Sequence, residues 1–422
     1  MALFNGLLNK KRKKFSFAKV WEFTSPSELS VGPVVANLNP KSTEIVVVFG
    51  TKDGKLFVID DQSKVKWLFD LKEKLGKLES LFMDESSSYS IYTKPVIKDL
   101  NKDGSKEVIF GSENGTAFVL GADGKLVWKL TVEGKILSDF LITDINNDDF
   151  EEVIFGTTAG YIYCVDYSGQ VLWRYFADTS IESSPSLLES LDGNLIVFGG
   201  NNGNLIAIDT NGVFKWDFKT GDKITCKPII EHITNSKERY ILFGSYDKNL
   251  YCLNSHGDLF WKFKTEGRIV ASPTVGDINK DGFLEIVFGS CDNKVYALDY
   301  QGNLLWDYET DFWVVSTPTI TDLDDDGRLE IVVGSLDYSL YVLDAAGSFV
   351  VNYIPGVSSI TPQINDTDLS QAPTKNKGKL LYKYSLDGLI IGTHLFVDKE
   401  NKKYLLIGIK QGKVDNLSLK EV

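Results

Sequence analysis

Tryptophan recurs at a nearly fixed interval along this chain of 422 residues, and that interval constrains the fold more than any other feature. From Trp128 to Trp306 the successive steps are 45, 43, 45 and 45 residues. A proline often follows 12 residues later, as Pro273 follows Trp261. The repeated tryptophans are Trp67, Trp128, Trp173, Trp216, Trp261 and Trp306. A fixed period of this length indicates a repeat architecture.

Each repeat contains four short stretches typical of β-strands. The sixth unit reads SPTVGDINKDGFLEIVFGSCDNKVYALDYQGNLLWDYET. Its alternating or β-branched runs are separated by Gly, Asn and Asp, which favours antiparallel strands joined by tight turns. Four such strands in every unit of about 45 residues are typical of a propeller blade. No segment shows sustained helical periodicity.

The number of units predicts an all-β, eight-bladed β-propeller of four-stranded antiparallel blades. The eight positions that open a unit are Pro33, Pro95, Phe140, Pro185, Pro228, Pro273, Pro318 and Pro362. The eight fourth strands are marked by Trp21, by the six tryptophans above and, by spacing, by Val350. The first of them, Lys19–Phe23, precedes the first opening strand, and the last unit ends after its third strand. We therefore expect the N-terminal strand to complete the C-terminal blade, so that the ring has no free edge.

The predicted domain organisation is a basic tail over residues 1–18 and a single propeller over residues 19–422. A loop insertion is expected at residues 72–94, between blades one and two. A second is expected at residues 369–401, between the first two strands of the last blade. Within it, Leu380–Tyr384 and Leu389–Val397 could form an extra hairpin.

Four units carry the same acidic loop between their first and second strands. Oxygen-bearing side chains stand at loop positions 1, 3, 5 and 9, position 6 is usually Gly, and position 7 is expected to offer its carbonyl oxygen. Ca²⁺ prefers six to eight oxygen ligands, and glycine permits the left-handed backbone of such a turn. The candidate ligands are Asp99, Asn101, Asp103, Ser105, Glu107, Asp144, Asn146, Asp148, Phe150, Glu152, Asp277, Asn279, Asp281, Phe283, Glu285, Asp322, Asp324, Asp326, Arg328 and Glu330.

The recurrence of this loop predicts up to four structural Ca²⁺ ions. The alternative is that Asp and Asn only cap the turns. In the third unit Asp149 replaces the glycine, which weakens that loop.

Two family resemblances follow from these motifs. The acidic loop followed by E-[IV]-[IV]-[FV]-G resembles the FG-GAP/VCBS repeats of integrin α-type propellers, which implies Ca²⁺ on one face. Position 9 is commonly Asp in that family and is Glu here. The stretches Cys164–Trp173, Ala207–Trp216 and Ala297–Trp306 resemble the tryptophan-docking motif of quinoprotein (PQQ-like) eight-bladed propellers. Both resemblances bear on fold more than on function.

Charge and composition exclude some partners. The formal net charge is -13, whereas nucleic-acid binders usually carry a basic stripe, so no nucleic acid is expected. The one basic run, Lys10–Lys14, is expected to be a solvated tail, with weak contact to a membrane or an acidic partner as the alternative. No apolar run reaches the ~18 residues of a transmembrane segment. The order of charged and apolar residues before Lys14 does not fit a secretory signal, which favours a cytoplasmic location; an extracellular one stays open.

The cysteines and histidines give no catalytic or metal-binding pattern. Cys164 and Cys252 occupy a repeat position where other units have Ala or Val, so we expect small core residues. The three histidines, His232, His256 and His394, fall in different loops or insertions and are expected at the surface.

These features favour a non-catalytic scaffold or binding protein with structural calcium loops, contacting a protein partner or an extended ligand on one propeller face. A PQQ-dependent dehydrogenase or another propeller enzyme, such as a polysaccharide lyase, is one alternative. PQQ is not expected, because the tryptophans are accounted for as docking residues. A cell-envelope assembly factor is the other alternative.

Overall fold

The computed structural model describes residues 15–74, 89–190, 193–347, 377–398 and 400–421. It contains eight four-stranded antiparallel sheets, which confirms the eight-bladed propeller. The strands of blades one to four are β2 (Val34–Ala36), β3 (Val46–Gly50), β4 (Lys55–Asp60), β5 (Val65–Asp70), β6 (Val96–Lys98), β7 (Glu107–Gly111), β8 (Thr116–Leu120), β9 (Leu126–Thr131), β10 (Leu141–Thr143), β11 (Glu152–Gly156), β12 (Tyr161–Val165), β13 (Val171–Phe176), β14 (Ser186–Leu188), β15 (Leu195–Gly199), β16 (Asn204–Asp209) and β17 (Phe214–Lys219).

The remaining four blades follow the same order, except that the first strand of the chain belongs to the last blade. Their strands are β18 (Ile229–Glu231), β19 (Tyr240–Gly244), β20 (Asn249–Leu253), β21 (Leu259–Lys264), β22 (Thr274–Gly276), β23 (Glu285–Gly289), β24 (Lys294–Leu298), β25 (Leu304–Glu309), β26 (Thr319–Thr321), β27 (Glu330–Ser335), β28 (Ser339–Asp344), β29 (Lys379–Ser385), β30 (Ile390–Val397), β31 (Lys403–Ile409), β32 (Lys413–Glu421) and β1 (Phe15–Thr24). One short helix, α1 (Leu71–Lys74), follows β5. No helix within the described ranges is long and apolar enough to cross a membrane.

Burial changes with strand position and shows how each blade is oriented. The second strands, such as β7 and β23, are buried along their whole length. Fourth strands such as β17 and β21 alternate between exposed and half-buried residues, as expected of an outer strand. The first strands of neighbouring blades contact one another, as β14 does β18 and β22 does β26. These first strands therefore surround the ring axis.

The repeated tryptophans join each of blades one to six to the blade that follows it. The indole N–H of Trp261 donates a hydrogen bond of 2.9 Å to the carbonyl oxygen of Tyr300 in the following blade. The same bond, from 2.9 to 3.1 Å, is formed by Trp67, Trp128, Trp173 and Trp306. A Cβ on Gly302, whose φ is +83°, would lie 2.6 Å from the Trp261 ring. Glycine is therefore needed there both for the turn and for the close approach of the indole.

The ring closes as the sequence predicts. Strand β1 pairs antiparallel with β32 and completes the sheet β1-β32-β31-β30. It begins at Phe15, within the predicted tail, and Lys10–Lys14 lie outside the described residues. The Lys19 ammonium lies 2.8 Å from the carboxylate of Asp415, whose side chain is 2% exposed. The closure therefore contains, besides the strand ladder, an ion pair between a partly exposed lysine and a buried carboxylate.

The predicted insertion at residues 369–401 is wrong in its described part. Residues Lys379–Ser385 form the fourth strand of blade seven, and Ile390–Val397 form the first strand of blade eight. The extra segment thus interrupts blade seven between β28 and β29. Val350 and Pro362, the predicted markers of these strands, lie outside the described residues. The spacing of 45 residues misassigned these markers because the extra residues fall between a third and a fourth strand.

The alternating strand directions give the ring two different faces. Loops joining first to second strands, and turns joining third to fourth strands, lie on the carboxylate face. Turns joining second to third strands, and connections from one blade to the next, lie on the opposite connection face. Both candidate sites described below are placed by this arrangement.

Candidate functional site

The four acidic loops occupy equivalent places on the carboxylate face. Each follows the first strand of its blade, and the position 9 glutamate begins the second strand, as Glu285 begins β23. The backbone is left-handed at position 6, with φ of +89° at Gly104 and +83° at Gly327. Asp149 takes the same conformation in blade three, at +75°. The predicted turn is confirmed, and it is strained in blade three because Asp149 has a Cβ.

Side-chain oxygens in these loops accept backbone N–H groups. In blade two the amide of Gly104 donates to Asp99 Oδ2 at 2.9 Å, and the amide of Ser105 donates to Asp103 Oδ1 at 2.7 Å. Blade six repeats both contacts at Asp277 and Asp281. With these bonds the side chains cap the turn, which is the role that the sequence analysis gave as the alternative to Ca²⁺ binding. The same bonds also point several oxygens into each loop.

The position 9 glutamates are more deeply buried than the other loop acids. Glu285 is fully buried, and its Oε2 accepts the amide N–H of Ile278 at 2.8 Å. Glu107, Glu152 and Glu330 accept the equivalent amide at 2.8 to 2.9 Å. Burial, followed by the charges of Asp281 and Asp277, raises the pKa of Glu285 to about 8. A cation in the loop would reverse this effect, because it favours the ionised carboxylate.

The donor set fits a hard cation. Carboxylate oxygens of Asp322, Asp324 and Glu330 lie within 4.8 Å of one another. The buried Oδ1 of Asp99 has no hydrogen-bond partner. Closely spaced acidic oxygens repel one another unless a cation lies between them, and Ca²⁺ accepts oxygen ligands of this kind.

A second set of charged residues, the axial cluster, consists of Lys94, Asp139, Lys227 and His394. Burial raises the pKa of Asp139, and the positive charges of Lys94 and Lys227 act against this increase. Burial lowers the pKa of His394, and the charge of Lys94 lowers it further. Coulombic effects weaken with distance, yet these residues belong to blades two, three, five and eight. Three stand just before a first strand and His394 lies within one, so the cluster forms where the eight first strands meet, at the axis.

Asp139 is the centre of this cluster. Its Oδ1 accepts the backbone N–H of Lys94 at 2.7 Å, and its own N–H donates to Ser184 Oγ at 2.9 Å. Burial raises the pKa of the Asp139 carboxyl, and the lysine charges offset this only in part. Its side chain is half-buried.

His394 corrects the expectation that all three histidines are surface residues. His232 and His256 are exposed, whereas His394 lies on β30, the innermost strand of blade eight. Burial, and to a lesser degree Lys94, lowers its pKa to about 4. The sequence missed it because β30 was assigned to an extra hairpin. A signal was present for the others, since Lys94, Asp139 and Lys227 each precede an opening position, where a polar side chain must approach the axis.

The prediction that Cys164 and Cys252 are small core residues is confirmed. Cys164 and Cys252 are fully buried, and burial raises the pKa of each thiol. The repeated tryptophans do not fit a quinone floor. The indoles of Trp128, Trp173 and Trp261 each pack on a glycine of the next blade, so these faces are not available to a flat cofactor.

Comparison with known proteins first defines a class and then a family. Solved structures similar to this chain include PQQ quinoproteins and BamB. The sequence profile described as the Lambda-carrageenase beta-propeller domain matches residues 107–201, 189–266 and 255–378. Because these overlapping matches together cover more than half of the chain, the chain belongs to this family. Among curated protein sequences, none matches.

Three solved structures show the shared fold at low sequence identity. BamB from Moraxella catarrhalis has a TM-score of 0.63 and 17% identity, over 96% of this chain and 99% of that chain. A europium-containing methanol dehydrogenase has a TM-score of 0.68 and 11% identity, over 95% of this chain and 93% of that chain. The quinohemoprotein alcohol dehydrogenase from Comamonas testosteroni has a TM-score of 0.65 and 12% identity, over 95% of this chain and 76% of that chain.

These comparisons correct the leading functional interpretation of the sequence. That interpretation, a non-catalytic scaffold with calcium loops, is wrong as the leading one, because the similar structures belong to the classes kept as alternatives. Two are dehydrogenases and one is BamB. The sequence analysis did not identify the axial cluster.

Proposed function

We propose that this chain is a propeller enzyme that binds an anionic polysaccharide at the axial cluster and cleaves it. The observation that carries the proposal is the convergence of Lys94, Asp139, Lys227 and His394 from four blades. A name in the family, Lambda-carrageenase, refers to an enzyme that acts on a polysaccharide. Strongly shifted pKa values in a concave polar site are typical of functional residues.

Charge explains the choice of an anionic ligand. The whole chain carries a formal charge of -13, but the cluster holds two lysines beside one carboxyl. Its histidine is neutral near pH 7 because its pKa is about 4. A local positive potential attracts anions even when the protein as a whole is acidic.

The same groups favour elimination over hydrolysis. Two-carboxylate hydrolysis needs a pair of acids roughly 5–10 Å apart, and Asp139 is the only carboxyl of the cluster in the described ranges. In an elimination next to a uronate carboxylate, the lysines would stabilise the charge that develops on that carboxylate. His394 would accept the proton from the adjacent carbon while the glycosidic C–O bond breaks. Asp139, whose pKa is raised by burial, would donate the proton to the leaving oxygen.

The test is an activity screen of the purified chain on sulfated and uronate-containing polysaccharides. Cleavage is followed by reducing ends, and elimination by the ultraviolet absorbance of the unsaturated product. We expect cleavage of at least one anionic polysaccharide, and we expect His394→Gln to lower kcat by at least about a hundredfold. His256→Gln, on the exposed surface, is the matched control. Absence of binding and cleavage across the panel, or full activity of His394→Gln, would refute the proposal.

We further propose that the four acidic loops bind Ca²⁺, which would neutralise their carboxylates and fix the turns. Each loop would use its side chains at positions 1, 3, 5 and 9 and the carbonyl at position 7. The support is the clustering of Asp322, Asp324 and Glu330 and the unpartnered oxygen of Asp99. Calorimetric titration of chelator-treated protein with Ca²⁺ tests the loops, and Asp277→Asn together with Asp281→Asn should remove one equivalent.

A cell-envelope assembly role is a second candidate. It is favoured by BamB, which matches this chain almost end to end, over 96% of one chain and 99% of the other. Stoichiometric copurification of an envelope protein from the native source, without polysaccharide binding, would move the assignment to this candidate.

A further inference from the structure

The connection face carries one equivalent position in each of the eight blades. The carbonyl oxygen at this position accepts an N–H from the turn between the second and third strands, as Lys223 accepts from Tyr246 at 3.0 Å. The eight residues, from blade one to blade eight, are Glu28, Ser90, Lys135, Ser180, Lys223, Arg268, Trp313 and Leu389. Because the backbone is the same in all eight, their side chains can be compared directly.

Three consecutive members of this ring, in blades five, six and seven, are two cationic residues followed by an aromatic one. The charged groups of Lys223 and Arg268 both lie over the ring of Tyr246, 4.5 and 5.4 Å from its centroid. Trp313 follows and stacks on Phe312, with ring centroids 5.3 Å apart and planes 9° apart. We name Lys223, Tyr246, Arg268, Phe312 and Trp313 the aromatic arc.

The cations of the arc are not neutralised by ion pairs. Elsewhere on this face Lys135 pairs with Glu113 at 2.5 Å and Lys52 pairs with Glu28 at 2.5 Å. Within the described part of the chain, neither Lys223 nor Arg268 forms a salt bridge, and both are held over the Tyr246 ring instead. Cations fixed in this way remain able to bind an anion with little loss of side-chain entropy.

The aromatic members are exposed, which is unusual for residues of their size. Phe312 is 46% exposed and Trp313 is 44% exposed. Aromatic rings present a flat apolar face with a polarised edge, and such a face suits the C–H groups of a sugar ring. Asp222 lies one residue before Lys223, and Glu266 lies two residues before Arg268. Both are exposed carboxylates and can accept hydrogen bonds from hydroxyl groups of a sugar. The arc therefore matches a chain with alternating anionic and hydroxyl groups.

The arc also leads to the axial cluster. Lys223 and Lys227 belong to the same connection into blade five, so the end of the arc lies four residues from a member of the cluster. We propose that the arc is an extended binding groove for an anionic oligosaccharide, with sugar rings on Phe312 and Trp313 and anionic groups on Arg268 and Lys223. This inference rests on the proposed function and extends it from a single site to several sugar units.

The test is calorimetric titration with oligosaccharides of increasing length, prepared from a λ-carrageenan and from a polyuronate, and with neutral oligosaccharides of equal length. We expect Trp313→Ala and Arg268→Gln each to weaken binding of the longest anionic oligosaccharide about tenfold. Binding of the disaccharide should not change. Lys135→Gln, at the equivalent position of blade three, is the control and should bind as the unmodified protein does. Arg268→Gln should also reduce the salt dependence of binding.

The outcomes separate the groove from the axial site. Equal affinity of Trp313→Ala, Arg268→Gln and the unmodified protein at every length would overturn the groove. If Lys94→Met then lost binding at all lengths, the axial site would stand alone. Loss of binding in the arc variants with none in Lys94→Met would instead remove the axial site and keep the groove. No binding by the unmodified protein would overturn both.

Discussion

At the scale of single residues, the glycines of the repeat have two separate roles that substitution can distinguish. Gly282 and Gly302 both have positive φ and both lie in blade six. A Cβ on Gly282 would meet nothing within 4 Å, whereas on Gly302 it would lie 2.6 Å from the Trp261 ring. One glycine thus serves backbone conformation alone, and the other also serves contact between blades.

We expect Gly282→Ala to lower the free energy of unfolding by about 1–2 kcal/mol, the cost of the left-handed conformation. Gly302→Ala should cost about 2–4 kcal/mol, because the indole of Trp261 must also move. Denaturant unfolding in the presence of chelator measures both, so that calcium does not affect the comparison. Equal losses in the two variants would show that docking of Trp261 adds nothing to stability.

His394 makes a pH-dependent contribution to stability. Its folded pKa of about 4 lies below the ordinary value of 6.5, because burial disfavours the charged ring. The contribution is therefore present above pH 6.5 and is lost as the pH falls towards 4. After allowance for its partial exposure, we expect a loss of about 1–2 kcal/mol over this range.

His394→Gln should remove that part of the pH dependence. Asp139 has the opposite effect, because burial raises its folded pKa and stability therefore falls as the pH rises. The difference between His394→Gln and the unmodified protein cancels this effect. Unfolding curves for both proteins between pH 4 and 7 give the measurement, and parallel pH profiles would contradict the assignment.

At the scale of elements, strand β1 closes the ring through a ladder and an ion pair. Burial raises the pKa of Asp415 despite its pairing with Lys19. Burial alone would lower the pKa of Lys19, but its hydrogen bonds to Asp415 and Glu22 outweigh burial and raise it. The pair therefore offsets only part of the cost of burying the carboxylate, and loss of the lysine leaves an unpaired charge.

We expect Lys19→Met to lower the free energy of unfolding by about 2 kcal/mol, less than for a fully buried pair because Lys19 is partly exposed. Adding Asp415→Asn should restore most of the loss, since the buried charge is removed as well. A double-mutant cycle by denaturant unfolding measures the coupling. Lys215→Met, whose ion pair with Asp209 lies on the surface, is the control and should cost under about 1 kcal/mol.

At the scale of the whole molecule, the two faces of the ring differ in charge and in proposed role. The carboxylate face holds the four acidic loops, and the connection face holds the aromatic arc beside the axial cluster. Neighbouring loops contact each other: the amide of Glu151 in blade three donates to the carbonyl of Leu100 in blade two at 3.1 Å. Order in one loop is therefore transmitted to the next blade.

Calcium should stabilise the ring as a unit. A site held at a hundredfold above its Kd adds about 2.7 kcal/mol to the free energy of unfolding. We expect chelation to lower the Tm and added Ca²⁺ to restore it, while Mg²⁺ does so poorly because it demands a stricter geometry. Differential scanning calorimetry gives the measurement. A Tm that chelator leaves unchanged, with metal analysis finding no Ca²⁺, would exclude the calcium assignment.

The sequence by itself determined the ring, its eight blades and its closure, because these depend on local patterns repeated along the chain. Trp261, Gly302 and the acidic loop at Asp277 have counterparts in other units, and these counterparts stand at the same offset within the unit. Their spacing in the sequence therefore reveals their role. The exception was blade seven, where an inserted segment broke the spacing, so that β29 was assigned to the wrong blade and β30 to an extra hairpin instead of a first strand.

Only the tertiary structure decided where the blades bring side chains together. Lys94, Asp139 and Lys227 occupy the same repeat position but are far apart in sequence, and His394 lies elsewhere in its own repeat. The axial cluster exists because eight first strands converge on one axis. Lys223, Arg268 and Trp313 are likewise unrelated residue types at equivalent positions, and the curvature of the ring makes them neighbours. A repeat pattern records what each blade has in common, whereas a site on the axis or on one face arises from what differs between blades.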